Sequence, residues 1–495
     1  MKRISMVSVG VVSLMTVLGA SAASVSATSS RVPRIGWKGT ITMYAQGYTP
    51  AVPGIKLPPN SVHLTAFAQA AKQFEKLYPG IHIKFEDSNT WGSTQWYETE
   101  AAGGLLPDVT WVLGTTADTV LPQGIFTNLT PYFNQPNPYI PGNKKWKDIM
   151  NPQAMAMKQA PSGAQYIDDG DWLNTAFYFN KNLFKKAGIL KPPSTWEQLL
   201  ADCRKLKAHG ITPGANRPHL GWFSVIFDAN ALGIKTLQRL QSYSPHSIGF
   251  INGVDQVKGY QAGFFNPAKN PRFTAWWPAM KKLYSYFDPN VLNESINGSL
   301  PAGAPTGTTL FLAGKVAMTF TGSWLPPKIK TLPKPQQFSV GAFNLSSLKG
   351  TSPYVTNLAT AQDVGGPNGA WEYAISTKKA DNSMTPQKFQ AVLDWVRFFS
   401  TPTWNQKIVD QLGNSVPIFK GTVGTPGNRW IASGIGRPHF QVIPFTVLTP
   451  QANTSMSDLF QEYVTGHVSF AEAKQQYDSL AQQAIQQYAV QNHIS

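Results

Sequence analysis

The sequence predicts a two-lobed α/β protein, on three observations. Its 495 residues exceed the roughly 250–300 that one hydrophobic core spans before a chain divides. Apolar residues make up 42% of the chain, and no low-complexity tract or repeat of 20–50 residues occurs, which is an ordinary globular composition. Strand-type and helix-type periodicities alternate, the pattern of a mostly parallel sheet flanked by helices.

The elements follow in order. Thr40 to Ala45 reads as a first strand, followed by the proline- and glycine-rich loop GYTPAVPGIKLPPN. Leu64, Phe67, Ala71, Phe74 and Leu77 recur at spacings of three and four, one face of a helix that Pro79-Gly80 ends. Ile81, Ile83 and Phe85 alternate with polar residues as a second strand. A helix around Trp96 to Ala102 leads to a strand from Asp108 to Leu113, which opens into Gly114-Thr115-Thr116. Ala176 to Phe179 is a short strand before a helix from Lys181; Thr195 is placed to cap a helix running to Lys207. Val316 to Phe320 is a buried strand that runs into Gly322-Ser323-Trp324. Phe389, Val392, Leu393 and Val396 share a face of a helix over Gln387 to Phe399, and a polar but periodic helix spans Phe470 to Gln487.

A formal charge of +16 suggests nucleic acid or an anionic membrane. The excess comes instead from scarce acid. Charged residues are 14% of the chain against about 25% in typical proteins, and the lysines are scattered, so no nucleic-acid partner is expected. Acid unfolding is largely the protonation of carboxylates paired in the native state. With 26 carboxylates in the whole chain, we expect an acidic extracytoplasmic habitat. Loss of the fold near pH 4–5 would count against it.

Lys2 and Arg3 precede an apolar run from Ile4 to Ala20 and the small residues Ala22 and Ala27, the pattern of a secretory signal peptide over residues 1–27, cleaved after Ala22 or Ala27. The run is short for a membrane span and is diluted by serines and threonine. The sole cysteine, Cys203, excludes an intrachain disulfide and, lying inside a helical pattern far from the leader, leaves no cysteine for lipid attachment.

Catalytic signatures are missing from the sequence. No two of the eight histidines share a helical face, so no metal site and no cofactor are expected. Nucleotide-binding glycine loops and the GxSxG elbow are absent. The acidic cluster YIDDGDW holds Asp168, Asp169 and Asp171 beside Trp172. It lacks the remaining ligands of a calcium loop. Three readings stay open for it: a solvated turn, acceptors for sugar hydroxyls, or one carboxylate of a secreted carbohydrate-active enzyme.

Six short motifs, in order, resemble one family, the family 1 extracellular solute-binding proteins of ABC importers, which includes maltodextrin-binding proteins. FEKLYPGIHIKF is similar to its first helix and second strand, and LLPDVTWV to its "PDV" strand. FYFNKNLFKKAG resembles its "YNKDLFKKAG" crossover and PPSTWEQLL its "PPKTWDEL" helix start. FLAGKVAMTFTGSW resembles the segment ending in Gly-x-Trp, and GAWEYAIS the return strand. The resemblance covers most of residues 39–420.

It implies a type II periplasmic-binding-protein fold, with solute held in a cleft between an N-terminal lobe (39–171 and 346–418) and a C-terminal lobe (172–345 and 419–495). It also implies a monomeric, non-enzymatic protein that delivers a solute to an ABC permease outside the cytoplasm. By position the resemblance makes Gln46, Tyr48, Thr115, Thr116, Asp171, Trp172, Trp222 and Trp324 ligand-binding residues, with Trp91 and Trp371 placed more loosely. Aromatic planes cover the C–H face of a pyranose while amides and carboxylates bond its rim, so an oligosaccharide is the expected solute. The crossover lacks the family's "Y-x-x-P", and threonines stand after the PDV strand where some sugar binders carry aspartate or arginine. Polyamines and glycerol phosphates, bound by relatives, therefore stay open.

Overall fold

The computed structural model describes residues 33–55, 62–87, 93–113, 123–160, 162–218, 220–246, 249–292, 306–358, 364–436, 441–442 and 450–494. The expected signal peptide, Trp91, Thr115 and Thr116 lie outside the described residues.

Two mixed sheets organise the chain. The first has the order β2-β1-β3-β11-β4, built from β1 (Gly39–Tyr44), β2 (Ile81–Glu86), β3 (Val109–Trp111), β4 (Asp168–Asp169) and β11 (Glu372–Ile375). β1 pairs in parallel with β2 and β3, whereas β11 runs antiparallel to β3 and β4. Helix Ala66–Leu77 buries Phe67, Ala70, Ala71 and Phe74 against this sheet, the face its periodicity predicts. The aspartate of the PDV motif is structural: Asp108 Oδ2 accepts from the Thr42 amide at 2.9 Å, joining β3 to β1, and Lys388 lies 2.7 Å from Oδ1.

The second sheet has the order β10-β5-β8-β6, with β9 and β12 also paired to β5. Its strands are β5 (Asp171–Asn180), β6 (Thr212–Gly214), β8 (Val316–Gly322), β9 (Val340–Phe343), β10 (Gly365–Gly366) and β12 (Val416–Pro417). A two-stranded pair of β7 (Phe250–Ile251) and β13 (Gln441–Val442) completes the described strands. The expectation of a mostly parallel sheet fails here. Only β6 and β8 are parallel; β5 is antiparallel to β8, β9, β10 and β12. The reason is topological, since β5 leaves the first sheet heading into the second while its partners head back.

Two large cores match the two sheets. Phe67, Phe74, Trp371, Trp395 and Phe399 fill the first, and Phe177, Phe223, Trp276, Trp277, Phe320 and Phe460 the second. Leu348, Val355 and Leu358 were expected with the first lobe but pack in the second core. The segment after β9 stays on the second lobe until β10, because β10 still pairs with β5.

Three chain passages between the sheets converge on one place. β4 runs through Gly170 directly into β5; β10 leads to β11; β12 pairs Pro417 with Asp171. Gly170 is bonded on both sides, its amide donating to Trp371 O at 3.1 Å and its carbonyl accepting from Asn405 Nδ2 at 2.7 Å.

Candidate functional site

β8 is buried along its whole length, as a strand covered on both faces must be. Its end is different. Trp324 is the first residue past the Gly322-Ser323 turn and precedes helix Leu325–Thr331, whose prolines fall in its first turn, where no amide donor is needed. The indole is half-buried and folds back over Gly322, where a Cβ would come within 2.0 Å of the ring. Glycine is required there by contact. Trp222, from helix Leu220–Leu232, meets Trp324 edge-on at 6.0 Å between centroids and Phe320 at 6.1 Å. The structure therefore joins two predicted residues, 102 positions apart, into one partly exposed aromatic wall.

The turn that carries this wall is pinned from beneath. Ser323 donates its amide to Asn174 O at 2.9 Å, and Asn216 grips Phe320 with both ends of its amide. The Ser323 hydroxyl is buried and makes no hydrogen bond to another described residue. Sequence reasoning missed Ser323 and Asn174, since neither residue type signals anything without the strand pairing that brings them together.

The remaining described candidates form a second group at the crossover. Tyr48 donates its hydroxyl to Asp171 Oδ2 at 2.6 Å. Asp171 also accepts from the amides of Ala370 and Trp371, both at 3.3 Å. Burial pushes the Asp171 carboxyl up, against the opposing pull of these donors. Trp371, stacked on Phe67 at 5.9 Å, gives its Nε1–H to Asp168 Oδ2 at 3.1 Å. Trp172 packs among Ala154, Val416, Ile418 and Ile431. Tyr48, Asp171, Trp172 and Trp371 are each at most 1% exposed, so protein covers the faces that were expected to meet solute. Gln46 is half-buried just after β1, in a left-handed backbone conformation (φ 51°), its side-chain oxygen accepting from the Gly47 amide.

The solvated-turn reading of YIDDGDW is overturned. All three aspartates are at most 2% exposed, because the chain passes there from one sheet to the other, with β4 against β11 and β5 against β12. No group of three or more metal-ligating side chains occurs among the described residues. A cavity of about 340 Å³, lined by Phe227, Asn230, Arg272, Tyr354 and Asn357 among others, opens further along the helix that carries Trp222 and contains none of the predicted residues.

A family model for the bacterial extracellular solute-binding proteins matches residues 60–406. The chain belongs to that family. Among curated proteins, a Brucella abortus binding protein is 31% identical over 147 residues, 29% of this chain and 33% of its own length, so the match spans about a third of that relative. The sn-glycerol-3-phosphate-binding periplasmic protein UgpB of Yersinia pestis is 44% identical over 50 residues, 10% of this chain and 11% of its own.

Solved structures share the fold at low identity. A chitin oligosaccharide binding protein is 19% identical with a TM-score of 0.61, covering 90% of this chain and 99% of its own. RafE in complex with raffinose is 16% identical with a TM-score of 0.59, covering 90% and 100%. The GacH receptor of Streptomyces glaucescens, solved unliganded and with acarbose, is 14% identical with a TM-score of 0.60, covering 91% and 99%. The type II solute-binding fold is thus the fold of this family member, and its location is extracytoplasmic. No helix among the described residues is long and apolar enough to cross a membrane.

Proposed function

We infer that this solute-binding protein captures an oligosaccharide between its lobes and delivers it, as a monomer and without turning it over, to an ABC permease. The Trp222–Trp324 wall at the end of β8 carries the reading. Two partly exposed indoles held edge to face offer apolar planes to pyranose C–H groups. Gln46 is assigned the facing wall on the first lobe, and Trp91, Thr115 and Thr116 keep their assignment as solute contacts. Tyr48, Asp171, Trp172 and Trp371 are assigned to the joint behind it. The lobes divide as 39–169 with 372–415, and 171–366 with the carboxyl-terminal helices. The ligands of the structural neighbours, chitin oligosaccharide, raffinose and acarbose, support the solute class.

The UgpB match favours a second reading, a glycerol phosphate. An anion would want cations where two tryptophans stand, which weighs against it. A thermal-shift panel of chito-, malto- and xylo-oligosaccharides, glycerol 3-phosphate and spermidine decides between the classes. A ligand at 100 times its Kd adds about 2.7 kcal/mol. A shift with glycerol 3-phosphate alone would transfer the assignment to that class, and reducing sugar released during incubation would make the protein an enzyme.

A further inference from the structure

The passage Asp168-Asp169-Gly170-Asp171 puts three carboxyls at most 2% exposed where the two sheets join. A fourth, Glu372, is fully buried and lies opposite Asp169 in the β4–β11 register. Among the described residues, the one cation beside them is Lys158, whose Nζ lies 2.7 Å from Glu372 Oε2 and 2.7 Å from Asn368 Oδ1, on the second passage between sheets. The other groups facing the cluster are neutral donors: Tyr48 on Asp171, and Trp371 and the Ser400 hydroxyl on Asp168. Tyr373 faces both aspartates, and burial holds its phenol, like that of Tyr48, in the protonated state. Neither Asp169 oxygen makes a hydrogen bond of good geometry.

Four carboxylates beside one ammonium would leave three negative charges out of water. Buried groups in that position take up protons instead.

We propose that this cluster is a proton-loaded joint: its buried aspartates hold protons around the Lys158–Glu372 pair, and loss of those protons as pH rises loosens the connection between the two sheets. The geometry supplies the coupling, because every passage between the sheets borrows a bond from it. Asp171 ties β5 to the Ala370–Trp371 backbone and is the residue that pairs with Pro417 of β12; Lys158 ties Asn368 to Glu372. Burial pushes Asp168 up to about 7, and Asp169 is raised by burial and further by Glu372 and Asp171 against the pull of Lys158. The sign follows. Protonated carboxyls favour the joined state, so it is firmest in acid and weakens as pH climbs through neutrality. The inference is independent of the solute class.

Two measurements on the ligand-free mature chain test it. Difference infrared spectroscopy between pH 5 and 8 should show a protonated-carboxyl band that persists at pH 6 and is lost towards pH 8. Hydrogen exchange, corrected for the intrinsic rate, should rise about tenfold over the same range in peptides covering 165–175, 364–376 and 414–419, the effect of about one proton titrating over one pH unit. Asp169→Asn should shrink both changes, and Glu372→Gln serves if that variant does not fold. Absence of the band at pH 6, an exchange rise spread evenly over both sheets, or the same rise in wild type and variant would overturn the proposal.

Discussion

Trp324 separates a wall from a core residue by its packing. Its ring rests on Gly322 and Trp222 and is otherwise partly open, so Trp324→Ala removes little buried volume. We expect a melting temperature within a few degrees of wild type and an oligosaccharide affinity lowered about tenfold or more, from lost aromatic contact and apolar burial. Paired melts and calorimetric titrations read both. Gly322→Ala gives an independent check: its methyl would displace the indole without removing it, so affinity should fall while Trp324 remains. Trp371 should behave oppositely. Fully buried among Phe67, Tyr373, Phe399 and Phe419, it should cost about 3–5 kcal/mol on truncation to alanine, measured by urea unfolding. Trp324 was legible in the sequence because a buried strand ended on Gly-Ser-Trp with no polar turn residue. Trp371 looked alike there, since a tryptophan before a strand carries no mark of which side of the joint it faces.

Among elements, those with strong periodicity read cleanly. Helix Trp196–Ala208 begins where Thr195 was expected to cap it, with the threonine oxygen accepting from the Gln198 amide at 3.0 Å. Helix Pro386–Phe399 and strand β2 fall within one residue of their patterns. β5 was read as 176–179 and extends back to Asp171, because Asp171 and Asn174 are poor local signs of a strand. The pairing that makes these residues strand, to β10 and β12, comes from segments about 190 and 245 residues away. The antiparallel character of the second sheet was hidden for the same reason. Gly170 is the element-scale test. A Cβ there would approach Asn405 Nδ2 and the Trp371 ring at 2.7–2.8 Å, so Gly170→Ala should destabilise by about 1–3 kcal/mol through overpacking, read as a lower urea midpoint.

At the scale of the whole molecule, charge and burial point the same way. The chain is poor in carboxylates, and burial raises several that it has: Asp168 to about 7, Asp255 to about 6, and Asp169 and Asp228 higher than ordinary carboxylates. A carboxyl whose folded value is raised contributes stability that is complete below the unfolded value near 4 and is lost as pH rises through the folded value. Glu197, Glu472 and Asp381 pull the other way; the two glutamates are exposed and solvent-screened, and the buried Asp381 is bonded to Asp108, which burial raises to about 7. Melting followed by circular dichroism should therefore give a temperature several degrees higher at pH 5 than at pH 8, as an acidic habitat requires; a fold lost at pH 4–5 would contradict this. The scarcity of carboxylates was legible from composition, whereas the burial of the crossover cluster needed the fold. The account rests most heavily on capture of a sugar at the Trp222–Trp324 wall. Isothermal titration of the mature protein with oligosaccharides, wild type beside Trp324→Ala, tests that most directly. We predict saturable one-to-one binding of at least one oligosaccharide, weakened about tenfold or more in the variant; saturable binding with equal affinity in the two proteins would contradict it.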